Sequence, residues 1–344
     1  MLLSVLDQSP VPEGSTGADA LRNTIDLARA TDALGYHRYW LAEHHGGVML
    51  AGPSPEVLIG PVAEATERIR VGSGGVMLPH YSPLKVAESF SVLSALYPGR
   101  IDLALGRAAG TDPLTAFALQ RDRRGAAPDD FPQQLSELLG YLDDTLPGDH
   151  PFARLAGALP GRPEGPEPWL LGSSMQSAIW AAQLGLPYAF ADFINPHGAE
   201  MAAVYRERFQ ASERLAAPRL IVGVWTICAE TDEGAERLTA PGRMAFKLLR
   251  QGRLIQVPPV EKALRFLDGE GPPRSRRLVY GSPAPVRARL EEVAESYGAD
   301  ELMLVNVMHD HRTRVRSYEL VAEAFGLGAA ALSANAPGDA RGNT

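Results

Sequence analysis

Eight short apolar runs, most of them followed by a helix-patterned segment, leave few folds open to this chain. The runs cover residues 2–6, 37–42, 69–74, 101–105, 169–171, 188–191, 219–229 and 301–307. Helical periodicity is read at 18–34, 54–66, 84–96, 131–146, 176–184, 198–211, 231–250, 260–267 and 314–325. In the first of these, Leu21, Ile25, Leu27, Ala28 and Leu34 share one apolar face and Gly35 stops the helix, while Pro55 suits the first turn of the second. Strands that alternate with helices form a parallel sheet, because parallel neighbours need long crossovers. Eight such units predict a closed barrel rather than an open sheet. The expected fold is therefore an α/β (β/α)8 TIM barrel occupying residues 1–328 as one domain. Residues 108–130 and 251–285 are too long for plain connections, so insertions are expected after strands four and seven, as lids or substrate walls. The small, polar stretch 329–344 predicts a disordered tail.

Charge and cysteine content narrow the function classes. The chain carries 33 basic and 41 acidic side chains, a formal charge of −8, which suits neither a nucleic-acid backbone nor an anionic membrane. Its one cysteine, Cys228, excludes an internal disulfide and a cysteine cage for zinc or iron–sulfur. No leader pattern and no run of about 20 apolar residues is read, so a cytoplasmic chain with a small-molecule substrate is expected.

A barrel's active site lies at the carboxyl ends of its strands. Polar and glycine residues gather at five such ends: Asp7 and Gln8; Glu43, His44 and His45; Gly74 and Gly75; Gly106 and Arg107; and Gly172, Ser173 and Ser174. Gly172-Ser173-Ser174 stands between a strand and a helix, where free amides and hydroxyls bind an anion or simply cap the helix. Arg107 supplies a guanidinium suited to phosphate, unless it pairs with Asp112. Gly74-Gly75 admits a planar ligand close to the backbone, or marks a bulge. Met77 breaks any dinucleotide fingerprint there. Adjacent residues point in different directions, so His44 and His45 do not readily share a metal; no metal is assigned. His44 is expected to face the pocket as an acid or base, with His45 as a structural hydrogen-bonder.

These residues carry a resemblance. Leu41-Ala42-Glu43-His44-His45, the segment 71–83, Tyr97-Pro98-Gly99-Arg100 with the following strand to Arg107, and Trp169-Leu170-Leu171-Gly172-Ser173-Ser174 together resemble the bacterial luciferase-like flavin-dependent monooxygenases, over residues 2–327. The resemblance implies reduced FMN supplied by a separate flavin reductase, and oxygenation by O2 through a C4a-peroxyflavin in secondary metabolism. It also implies a homodimer. It assigns Arg107, Ser173 and Ser174 to the flavin phosphate, with Gly172 and Gln176 beside them. Gly74-Gly75 falls where the family often has a non-prolyl cis peptide beneath the ring, and His44 matches the catalytic histidine. Gly106 stands where the light-emitting members carry cysteine, which points to ordinary oxygenation.

Three other readings remain open at this stage. The same barrel could use a deazaflavin for hydride transfer, act as a non-catalytic flavin-binding partner, or hydrolyse with a metal held by His44 and His45.

Overall fold

The computed structural model describes residues 1–107, 112–125, 129–195, 197–271 and 278–328. The tail expected to be disordered, 329–344, lies outside them. Nine parallel strands are present: β1 (Leu2–Asp7), β2 (Arg38–Leu41), β3 (Arg70–Met77), β4 (Ile101–Gly106), β5 (Glu167–Gly172), β6 (Tyr188–Ala191), β7 (Leu220–Cys228), β8 (Leu278–Gly281) and β9 (Glu301–Val305). β1 to β7 pair in sequence order, β7 pairs with β9, and β9 closes on β1. Eight strands thus form a closed parallel barrel with helices around it, as the alternation predicts.

The ninth strand corrects the sequence reading. β8 pairs only with the upper part of β7, Trp225–Cys228, on the side away from β9. Its four residues fall inside the stretch 251–285 that the sequence reads as an insertion. The helix Pro283–Tyr297, also unread from sequence, follows it. Its apolar contacts come from the widely spaced Val286, Leu290, Ala294 and Tyr297, set among charged residues. The stretch between β7 and β9 therefore holds the helices Asp232–Leu249, Val260–Phe266 and Pro283–Tyr297 together with β8. Between β4 and β5 lie Pro113–Leu119, Phe131–Asp143 and the short Ala153–Ala156.

A second correction concerns the glycine pair. Gly74 and Gly75 do not end β3, which continues to Met77. Pairing with β4 shifts between Gly74↔Ala104 and Val76↔Leu105, so Gly75 is the extra residue of a bulge. A side chain at Gly75 would collide with Leu171 Cδ1 and lie 2.6 Å from the Ala104 carbonyl oxygen. The Gly74–Gly75 peptide bond is cis.

Alternate residues of each strand face the barrel interior. At the amino-terminal end these are charged: Arg38 donates to Asp102 (2.7 Å), Glu167 (3.0 Å) and Glu301 (3.1 Å). Above them, Leu6, Trp40, Ala104, Trp169, Ala189, Ile221 and Met303 form one apolar cluster, with the two indoles edge to face at 5.5 Å. Toward the carboxyl ends the inward positions become small, and the barrel opens.

Candidate active site

The cavity at that mouth measures about 580 Å3, within the usual range for a small-molecule site. It exists because Ala42, Gly74, Gly106, Gly172, Ala189, Ala191 and Gly223 line it where bulkier side chains would fill it. Apolar walls come from Trp40, Leu171, Phe190, Phe193, Ile221 and Met303. The sequence-predicted residues His44, Gly74, Arg107, Gly172, Ser173, Ser174 and Gln176 all line this one cavity. Gly75 does not; it packs behind Gly74, against β4 and Leu171.

Arg107 and the serines thus meet across one opening. The Arg107 guanidinium lies 5.8 Å from the ring centre of Trp180, which in turn packs 5.6 Å from Phe131. A cation over an aromatic face is held in place while its N–H groups stay available. Ser174 caps the helix Met175–Gln183: its hydroxyl accepts from Ser177 N–H at 3.3 Å. The simple capping reading is therefore correct for that hydroxyl. Ser177 is itself engaged, donating to the Ser174 carbonyl (2.7 Å) and bonding the Tyr188 hydroxyl (2.9 Å). Asn195 fixes the turn by donating to the Ser173 carbonyl at 2.7 Å. The N-terminal amides of this helix and the Ser173 side chain remain as the local anion-binding groups.

After β2 the chain turns, and its carboxyl-end residues divide as adjacency requires. Glu43 is buried and accepts from His45 Nε2 (2.7 Å) and the Met77 amide (2.9 Å). His45 is thus turned to a structural partner, while His44 lines the cavity with its backbone N–H on the Gly52 carbonyl (2.9 Å). Burial, helped by the neighbouring His45, lowers the His44 pKa to about 4. The imidazole is therefore neutral at ordinary pH. Its Nδ1 is buried without a hydrogen-bond partner among the described residues, as is Oε1 of Gln8 on the same cavity. Unpaired buried polar atoms are costly, and two of them on one cavity mark a place that a polar ligand completes.

Asp7, read as part of the rim, belongs to the wall instead. It accepts from Arg314 (2.7 Å), the Tyr39 hydroxyl (2.7 Å) and the Ser9 amide (2.9 Å). Burial would raise its pKa, but Arg314 and the hydroxyls of Thr24 and Tyr39 outweigh that and hold it low. Gln8, read with the rim, does line the cavity, and Met77, Phe131 and Trp180 join it although the sequence did not single them out for it. Trp180, four residues after Gln176 and so on the same helix face, was the one with a readable signal. Among the described residues, no three His, Cys, Asp or Glu side chains gather as a metal cage.

Residues 1–301 match the family model described as luciferase-like monooxygenase. The chain belongs to that family. Its enzyme class is accordingly flavin-dependent monooxygenase, acting with O2 on a small molecule. A luciferase-like monooxygenase of Escherichia coli (strain K12) is 42% identical over 324 residues, spanning 92% of this chain and 95% of the relative. The N-acetyl-S-alkylcysteine monooxygenase of Bacillus subtilis (strain 168) is 36% identical over 337 residues, spanning 94% and 97%. The crystal structure of apo-MsnO8 superposes with a TM-score of 0.86 at 45% identity, covering 95% of this chain and 98% of that one.

Proposed function

We propose that this luciferase-like monooxygenase works with reduced FMN, delivered by a separate flavin reductase, and inserts one oxygen atom of O2 into a small organic substrate in secondary metabolism. One observation carries the reading. Arg107 and the Ser173–Ser174 helix start share a cavity with a glycine-lined floor at Gly74 and with the neutral His44. These residues fit the cofactor. A phosphate monoester suits a guanidinium beside helix amides. A planar ring suits backbone without side chains, and the orphaned Gln8 Oε1 and His44 Nδ1 suit a ring edge rich in hydrogen-bonding groups.

In this reading Arg107, Ser173, Gln176 and the start of the helix after Gly172 hold the phosphate, with Ser174 fixing that helix start. Gly75 keeps Gly74 in place beneath the ring. Bound reduced flavin supplies the activated oxygen, and the protein contributes orientation and exclusion of water. His44, with a pKa near 4, takes up a proton only transiently and is poised to return it. Trp40, Phe190, Phe193, Ile221 and Met303 keep the centre apolar. Gly106 leaves open the space beside Met77, whose Sδ a side chain there would approach at 3.3 Å.

The enzyme is proposed to be cytoplasmic; no described helix is long and apolar enough to cross a membrane. A homodimer belongs to the same reading. Val57 (70% exposed), Val92 (45%) and Leu96 (65%) lie on the helices Pro55–Glu64 and Pro83–Leu96, which pack together at Gly60 and Leu93, and they offer an apolar face to a second copy. Light scattering checks it.

Anaerobic titration with reduced FMN, followed by mixing with O2, tests the main proposal. Saturable binding that Arg107→Ala weakens, with an absorbance transient matching neither reduced nor oxidised flavin, is expected. Binding of a deazaflavin but not of FMN, with no oxygen uptake, would replace this reading with hydride transfer.

A further inference from the structure

A second chamber of about 390 Å3 stands beside the first, between the carboxyl ends of β7 and β9 and the helix Asp232–Leu249. Its helical wall comes from Thr239, Gly242, Arg243, Phe246, Lys247 and Arg250. Their spacing of three and four residues places them on one face. The opposite wall is apolar, with Trp225, Ile227, Leu278 and Val305. Trp225 and Phe193 stack at 6.0 Å, nearly parallel, and Phe193 lines the flavin cavity while Trp225 lines the chamber. The stacked pair thus turns one ring to each space, which places the two side by side.

Two features of the chamber point to a ligand. Among the described residues three cations line it, Arg243, Lys247 and Arg250, against a single carboxylate, Glu270, which lies 3.8 Å from Arg243 and also pairs with Lys247. Positive charge is therefore in surplus. Independently, the Trp225 indole N–H is buried and has no hydrogen-bond partner among the described residues. A buried donor left unpaired costs free energy that a bound acceptor recovers.

We infer that this chamber binds the monooxygenase's substrate as a small organic anion: its acidic end at Arg243 and Arg250, an acceptor on the Trp225 N–H, and its apolar body against Phe246 and Trp225, next to the flavin cavity. That the anion is the substrate rests on the proposed flavin chemistry; the binding itself does not. The Phe246 and Trp225 rings touch, with centroids 4.3 Å apart, and so form one continuous aromatic surface for an apolar body to lie against. A carboxylate and a sulfonate present the same chemistry to the guanidinium groups.

Isothermal titration of the full chain, alone and again saturated with FMN, decides this. The titrants are octanoate, octanesulfonate, octylamine and inorganic phosphate, each at low and high salt. Both organic anions should bind, more weakly at high salt, and octylamine should not. Arg243→Gln and Arg250→Gln should each weaken octanoate roughly tenfold, and Trp225→Phe roughly threefold, while FMN affinity stays unchanged. Octanoate binding should survive Arg107→Ala. The inference is overturned if the amine binds as well as the anions, if phosphate binds as tightly as octanoate, if the two arginine variants change nothing, or if Arg107→Ala abolishes octanoate binding. Failure of FMN to bind the unaltered chain, with octanoate behaving as expected, would instead sink the flavin reading and leave the anion site standing.

Discussion

The two ends of this barrel are built from the same inward-facing strand positions and filled in opposite ways. At the amino-terminal end, Arg38 is shared among Asp102, Glu167 and Glu301. Arg70 joins at Asp102 (2.5 Å), Arg219 at Glu167, and the Trp40 indole at Asp102 (2.9 Å). The Arg38 and Arg219 guanidinium groups also lie 4.8 Å and 4.5 Å from the Trp169 ring. At the carboxyl end stand alanines, glycines and two orphaned polar atoms. Buried charges are tolerable when paired, and at the base each of these carboxylates meets at least one guanidinium, with Arg219 Nε alone of the cluster left without a partner among the described residues. The unmatched atoms of the mouth suit a polar guest. Rigidity at one pole lets the other stay open without the barrel collapsing into it.

That contrast can be broken by substitution. Replacing His44 by Ala at the mouth should cut product formation by about 10^2–10^4-fold while the unfolding midpoint holds and FMN affinity falls by no more than one hydrogen bond, about 0.5–1.5 kcal/mol; steady-state turnover checks it, and undiminished turnover removes His44 from the chemistry. Arg38→Met at the base should do the reverse. Glu301 would be left buried without its cation, and Asp102 would keep only Arg70 and the Trp40 indole, at a cost of about 3–5 kcal/mol by urea unfolding, with FMN affinity of the folded protein unaltered. Arg107→Ala should weaken FMN by about 1.5–3 kcal/mol without lowering the melting temperature. Gly75→Ala tests the seam between the poles, since its methyl meets Leu171 and the Ala104 backbone; overpacking of this kind costs about 1–3 kcal/mol, and both stability and FMN affinity should fall.

The poles should also separate along the pH axis. Burial raises the Glu167 carboxyl, but Arg38, Arg219 and Arg70 together hold it at about 2, below its usual 4.5. Its contribution to stability is present above pH 4.5 and is lost as pH falls toward 2. His44 is depressed from 6.5 to about 4 by burial, so the fold favours the neutral ring and loses stability as pH falls from 6.5 toward 4. Chemical unfolding across pH should show two declines. His44→Ala should flatten the upper one and Glu167→Gln the lower. A single decline shared by both variants would merge the two regions into one electrostatic unit.

The mouth was easier to read in the sequence than the base. Gly172, Ser173 and Ser174 follow an apolar run and precede a helical pattern, and Arg107 follows another, so local pattern alone placed them on one rim. Arg38, Asp102, Glu167 and Glu301 stand at strand starts, where a charged residue looks like an ordinary boundary; only barrel closure brings them together. Gly74-Gly75 was visible as a pair, but whether it ended the strand or bulged within it depended on pairing with β4. Asp7 was misplaced because its partner Arg314 lies 307 residues away. β8 went unread because it lies inside the long stretch 251–285, read whole as an insertion, and pairs only with the upper part of β7.

The stretch between β7 and β9 is fastened at two shoulders. On one side Val257 is laced to the loop after β1, donating to the Val11 carbonyl and accepting from the Glu13 amide at 2.9 Å and 2.8 Å. On the other, β8 is zipped to β7 from Leu278 to Gly281. What lies between the fastenings can lengthen, shorten or change composition while both hems stay sewn. Lineages could thus retailor what the enzyme admits by rewriting some twenty residues, with the barrel's own seams left uncut.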